Sequence, residues 1–138
     1  MKLAVLLPAL LAFALSAGAA APKTNFVDHS TGQLIDADAA KAVLAESIPA
    51  KVWKVYPASK WAFVSQVEGG MKGSTCVVAA RVMLVPLTPT AKAVLFRPEK
   101  TATAFDALVN SNADACKALA KDKLKEAAGA VVSALVKT

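Results

Sequence analysis

The chain has 138 residues, 56% of them hydrophobic, and 16 Lys and Arg against 10 Asp and Glu give a net charge of +6. That length bounds it to one domain with a real core. The lysines are dispersed, with no dense basic run. This argues against nucleic acid and leaves either a solubilising charge or an anionic protein or envelope polymer as the partner.

Lys2 is the lone early charge, Leu3 to Ala21 carries none, and the run closes on Ser16-Ala17-Gly18-Ala19-Ala20-Ala21. A positive start, an apolar middle and a small-residue end predict a secretory signal peptide over residues 1–19. Pro22 is a poor residue to follow a cut, so cleavage is expected after Ala19 or Ala20, leaving one mature domain over 20–138. The rival is an uncleaved anchor, since the run is about long enough to span a bilayer. Pro8 interrupts it, however, and it ends in alanines rather than an aromatic and basic belt. The expectation is a periplasmic or secreted protein without a permanent membrane anchor. The mature form keeps 15 basic and 10 acidic residues, a net +5.

Residues 22–35 are polar and turn-rich, with an edge strand expected at Gln33–Ile35. Asp36 is a suitable N-cap, and Ala40, Val43, Leu44, Ser47 and Ile48 recur at helical spacing, so a helix is predicted over Ala37–Ser47 and limited by Pro49. Between Pro49 and Pro57, Ala50–Tyr56 reads as a short helix with Val52, Val55 and Tyr56 on one face. Trp61–Glu68 alternates as a strand, and Gly69-Gly70-Met71-Lys72-Gly73 as its hairpin loop. Ser74–Leu87 predicts a long strand, apolar on one face (Cys76, Val78, Ala80, Val82, Leu84) and nearly so on the other (Val77, Ala79, Met83, Val85, with Thr75 and Arg81). Such a strand belongs in the middle of a sheet.

A third strand is expected at Ala93–Arg97 and a fourth at Thr101–Asp106. The last helix should run Ala113–Val136, opened by a capping box of Ser111 and Asp114. Its apolar stripe is Cys116, Leu119, Ala120, Leu124, Ala127, Val131 and Leu135. Gly129 within it marks either a bend or a close approach to the sheet.

Cys76 and Cys116 are the only cysteines, and an oxidising compartment would pair them. Two separate periodicities aim both thiols at one buried layer. The fold that follows is α+β: an antiparallel sheet of three to four strands, a long C-terminal helix packed on one face and pinned by Cys76–Cys116, and an N-terminal helix preceding the sheet. The second face of the long strand is expected to be covered by the N-terminal helix and the Trp53–Trp61 segment, with Arg81 reaching an edge or a carboxylate.

Chemistry-bearing constellations are sparse. Asp28-His29-Ser30 contains triad residue types, but adjacent residues rarely converge as acid, base and nucleophile. One histidine and two paired cysteines do not make a metal site, and no cofactor is indicated. Asp28, Asp36 and Asp38 lack calcium-loop spacing. The glycine run at 69–73 resembles a phosphate loop only in composition.

The segment with a binding character interleaves Lys51, Lys54 and Lys60 with Trp53, Tyr56 and Trp61. Basic groups beside aromatic faces suit glycans, anionic polymers or a protein hot spot, although tryptophans in a small domain are mostly buried. The sequence favours an exported, non-catalytic binding module for a protein or envelope partner, of the inhibitor, immunity or assembly-factor type, and a monomer over a dimer. A carrier for a small apolar or anionic ligand is the alternative. The third reading is a hydrolase using His29 with Glu68 or Glu99.

Overall fold

The computed structural model describes residues 23–87 and 98–136. The expected signal peptide and the expected strand Ala93–Arg97 lie outside the described residues. Seven elements follow in order: β1 (Phe26–Asp28), α1 (Ala37–Ser47), α2 (Ala50–Val55), β2 (Trp61–Lys72), β3 (Thr75–Pro86), β4 (Lys100–Leu108) and α3 (Ala113–Leu135).

The sheet has the order β1-β2-β3-β4. β2, β3 and β4 are antiparallel neighbours, as the alternation predicted. The fold is α+β, with the long C-terminal helix on the sheet. The edge strand is not Gln33–Ile35, which forms a bend, but β1, and it pairs parallel to β2 with Phe26 opposite Phe63 and Asp28 opposite Ser65. Leu34 and Ile35 are buried in the helix-side core instead. Ile35 precedes the cap of α1 and Ala40 is its fourth residue, the positions of a hydrophobic staple. Asp36 caps α1 through a hydrogen bond from the Ala39 amide.

Two adjacent parallel strands need a crossover, which carries its helices over one face of the sheet. Here the crossover is α1 and α2, and both lie on the face already taken by α3. One cluster joins Ile35, Leu44, Ile48, Val52 and Trp53 to Phe63, Val67, Val78, Val82 and Leu84, and to Leu124 and Val131. This corrects the expectation that the N-terminal helix covers the second face of the long strand. A three-residue β1 left too little alternation for the crossover to be recognised from sequence.

Three local details also differ. β2 runs on to Lys72 and pairs with Thr75, so the reversal needs only Gly73 and Ser74. Gly73 has φ 59°, the positive first position that a type II′ turn requires. Gly69 lies inside the strand with φ 129°, and a Cβ there would collide with the Val77 carbonyl oxygen. α3 is capped by Asn112, whose side chain accepts from the Ala115 amide, rather than by Ser111. In α2 the buried pair is Val52 and Trp53; Val55 is 61% exposed.

β3 holds the interior position, and Cys76, Val78, Ala80, Val82 and Leu84 are all fully buried. Cys76 bonds to Cys116 of α3, with Cα atoms 5.5 Å apart. No helix among the described residues is long and apolar enough to cross a membrane.

Candidate functional site

The interleaved Lys/aromatic segment divides in the structure. Trp53 is buried, edge-on to Phe26 at 5.5 Å and to Phe63 at 5.3 Å. Its indole N–H is enclosed without a protein acceptor. Tyr56 and Trp61 pack edge to face with centroids 5.3 Å apart, both half-buried against the core. Lys51, Lys54 and Lys60 are exposed. The aromatic rings are therefore largely spent on the core, and the lysines stand without an open aromatic face beside them.

Asp28 and Ser30 turn to the core side. The hydroxyls of Ser30 and of fully buried Ser65 both donate to Asp28 Oδ1 at 2.7 Å. Ser30 Oγ also accepts from the Val67 amide at 2.9 Å, and the His29 amide donates to the Ser65 carbonyl at 2.8 Å. The Ser30 proton is thus committed to Asp28, in a network that fastens β1 to β2. The His29 side chain belongs to a recess on the other side of the sheet, with Gln66, Arg81, Met83 and Pro98. Glu68 lines the neighbouring recess with Gln66, Arg81 and Thr103. Arg81 is exposed, and its Nε donates to Thr103 Oγ1 at 3.3 Å. It meets a hydroxyl on the neighbouring strand, where the sheet edge or a carboxylate was the expectation.

This second, outer face of the sheet is in two halves. Around the start of β2 and the end of β3, Ala62, Val64 and Val85 are buried in a small cluster of their own with Met83 against it. Toward the β2–β3 turn the face is open. Val77 is 46% exposed and Phe105, beside Ala79 in the register, is 78% exposed. Gly70 and Ala107 flank Val77 on either side. Lys72, Glu68 and Arg81 surround this apolar ground. An exposed aromatic bordering a small apolar patch with a polar rim suits a protein contact surface. Phe105 was not among the sequence-derived candidates. The signal that could have found it was the period of β4, which sets Phe105 with Thr101, Thr103 and Ala107, away from the α3 side.

No family model matches the chain, and no curated protein does. A solved structure of similar fold is the dodecamer of a PelC point variant from Paraburkholderia phytofirmans, with a TM-score of 0.51 and 13% identity over 81% of this chain and 90% of that one. At that identity the likeness is one of fold. The disulfide fits an oxidising, extracytoplasmic compartment.

Proposed function

We propose that the protein is an exported, non-catalytic binding module, periplasmic or secreted, that docks a protein partner through the open half of its outer sheet face. The observation that carries this reading is Phe105, 78% exposed beside Val77 and Ala79 on the outer face of the sheet. Burying such a side chain in a partner pocket is worth about 1.5–3 kcal/mol, and aromatics so placed are frequent hot spots. A protein partner is favoured over a small ligand because the space between helices and sheet is filled by the core cluster. The fold neighbour is itself a protein assembly, a dodecamer, which agrees with this direction.

The test is photo-crosslinking in the native envelope, with a photoreactive residue at position 105 and a control at Lys125 on the solvent side of α3. A discrete adduct from 105, of mass other than twice the chain, and none from 125 is the expected result. No adduct, or the same adducts from both positions, overturns the reading. Phe105→Ser should abolish partner retention while leaving the unfolding midpoint near wild type.

A further inference from the structure

We propose that two copies of this chain pair through the outer edges of β4, antiparallel and centred on Thr103, so that Lys100 of each faces Asp106 of the other. β4 is the last strand of the sheet. It hydrogen-bonds β3 on one side, and no strand among the described residues lies on the other. An edge nine residues long that no described strand covers is a template for a further strand, and a two-fold axis lets one patch serve both partners.

The register follows from charge. Antiparallel partners directly opposite each other project to the same side of the sheet. In β4, Lys100, Ala102, Ala104, Asp106 and Leu108 share the helix side, and Thr101, Thr103, Phe105 and Ala107 the outer side, as their pairing with β3 fixes. An axis through Thr103 sets Lys100 against Asp106 twice, Ala102 against Ala104 twice, and Thr103 against its own copy. On the outer side it lays exposed Phe105 against Thr101, an aromatic with a β-branched partner, which is a favourable cross-strand pair. Shifting the axis to Ala104 sets Asp106 against Ala102 and Lys100 against Leu108. Shifting it to Ala102 sets Asp106 against Pro98 and Lys100 against Ala104. An axis at Asp106 opposes the two carboxylates. Charges on the core-facing side of an edge strand ordinarily discourage strand addition; here one register satisfies them.

Asp106 is prepared for a second cation. It already lies 3.4 Å from Lys123 Nζ, which also holds Glu126 at 2.7 Å. The Ala107 amide and then Lys123 keep its carboxyl below the ordinary range, and like any aspartate it is charged at neutral pH. Pairing would join the open apolar patches of both copies across the axis. It is a separate claim from partner docking, because its hydrogen bonds use the strand edge, although Phe105 borders both surfaces.

The experiment is analytical ultracentrifugation of the secreted, oxidised protein. Wild type should sediment as a dimer that weakens with salt. Lys100→Asp should raise the dissociation constant by about tenfold or more, because two attractions become two repulsions. The swap Lys100→Asp with Asp106→Lys should restore the dimer. Lys123→Ala, which removes the intramolecular bridges to Asp106 and Glu126 and no contact between copies, should leave the dimer in place. Independently, Thr103→Cys should give a disulfide-linked dimer on a non-reducing gel, since opposed Cα atoms in this register fall within bridging distance. Thr101→Cys should not. A monomeric wild type, a swap that stays dissociated, or equal crosslinking from 101 and 103 overturns the pairing. A partner adduct from position 105 on a monomer would overturn only the pairing, and a dimer without that adduct only the docking.

Discussion

The hydroxyl of Ser65, at the centre of β2 and fully buried, donates to the carboxylate of Asp28 on the neighbouring parallel strand at 2.7 Å. β1 is three residues long, so its parallel ladder alone cannot hold it against the entropy of ordering the preceding chain. The Asp28 carboxylate, taking the Ser65 and Ser30 hydroxyls together, supplies the rest. The crossover helices hang from this strand, so the network positions the helix-side core as well.

Asp28→Ala should therefore destabilise the domain by about 1–3 kcal/mol, because it strands a buried hydroxyl as well as losing the bond. Ser65→Ala should cost about 1 kcal/mol. The double variant should lie well below the sum of the two. Urea unfolding of the three variants checks this, and full additivity would mean that the two side chains act independently. The His29 amide adds a main-chain bond to the Ser65 carbonyl at 2.8 Å.

The Cys76–Cys116 bond closes a loop with a sequence separation of 40. On the chain-entropy account it stabilises the fold by about 4 kcal/mol, a large share of what a domain of this size retains. The pair Cys76→Ala with Cys116→Ala should lower the stability by up to that amount, read from the urea midpoint. The oxidised wild type should show no thiol reactive to Ellman's reagent until it is unfolded and reduced.

Gly129 lies within α3, and a side chain added there would meet open space. A close approach to the sheet does not explain it. Gly129→Ala should then stabilise by roughly 0.4–1 kcal/mol through the unfolded chain and the helix propensity. A loss of stability would show that this position meets something outside the described residues.

What could be read from the sequence depended on how many residues carried each pattern. The 12-residue β3 and the 23-residue α3 each repeat their period several times, and their apolar faces placed both cysteines in one layer correctly. β1 spans three residues, too few to show a period of two. Missing it hid the crossover and assigned α1 and α2 to the wrong side of the sheet. The candidate site was less legible. Trp53 and Lys51 are adjacent in type and spacing to a binding motif, but sequence does not say which aromatic ring is enclosed. Phe105 drew no notice because a single exposed aromatic is meaningful only once its strand neighbours, Val77 and Ala79 across the register, are known to be uncovered.

The carboxyl of Asp106 is held below its ordinary value of 3.8, first by the hydrogen bond from the Ala107 amide and then by Lys123. A depressed carboxylate contributes stability that is present above its unfolded value and is lost as pH falls through the lower, folded one. Asp106→Asn should accordingly be less stable than wild type by a constant margin at neutral pH. The margin should close only below about pH 4. The check is urea unfolding at intervals from pH 7 to pH 2. A margin that stays constant down to pH 2 would show that the carboxyl titrates alike in both states.

The two halves of the outer face should respond oppositely to the same charge. Val64 is 3% exposed and clustered with Ala62 and Val85. An aspartate there is a buried charge, and its nearest cross-strand neighbour, Met83, offers no partner. Val64→Asp should unfold the domain or cost several kcal/mol. Val77→Asp places the same group on the open half, where water still reaches it, and should change the stability by about 0.5 kcal/mol or less. Met83, half-buried between these regions, should fall between them as Met83→Asp. Circular dichroism with urea titration on the three variants gives the ranking directly. If Val77→Asp proves as damaging as Val64→Asp, the open half is covered in the folded chain, and the contact surface assigned to Val77, Ala79 and Phe105 is lost with it.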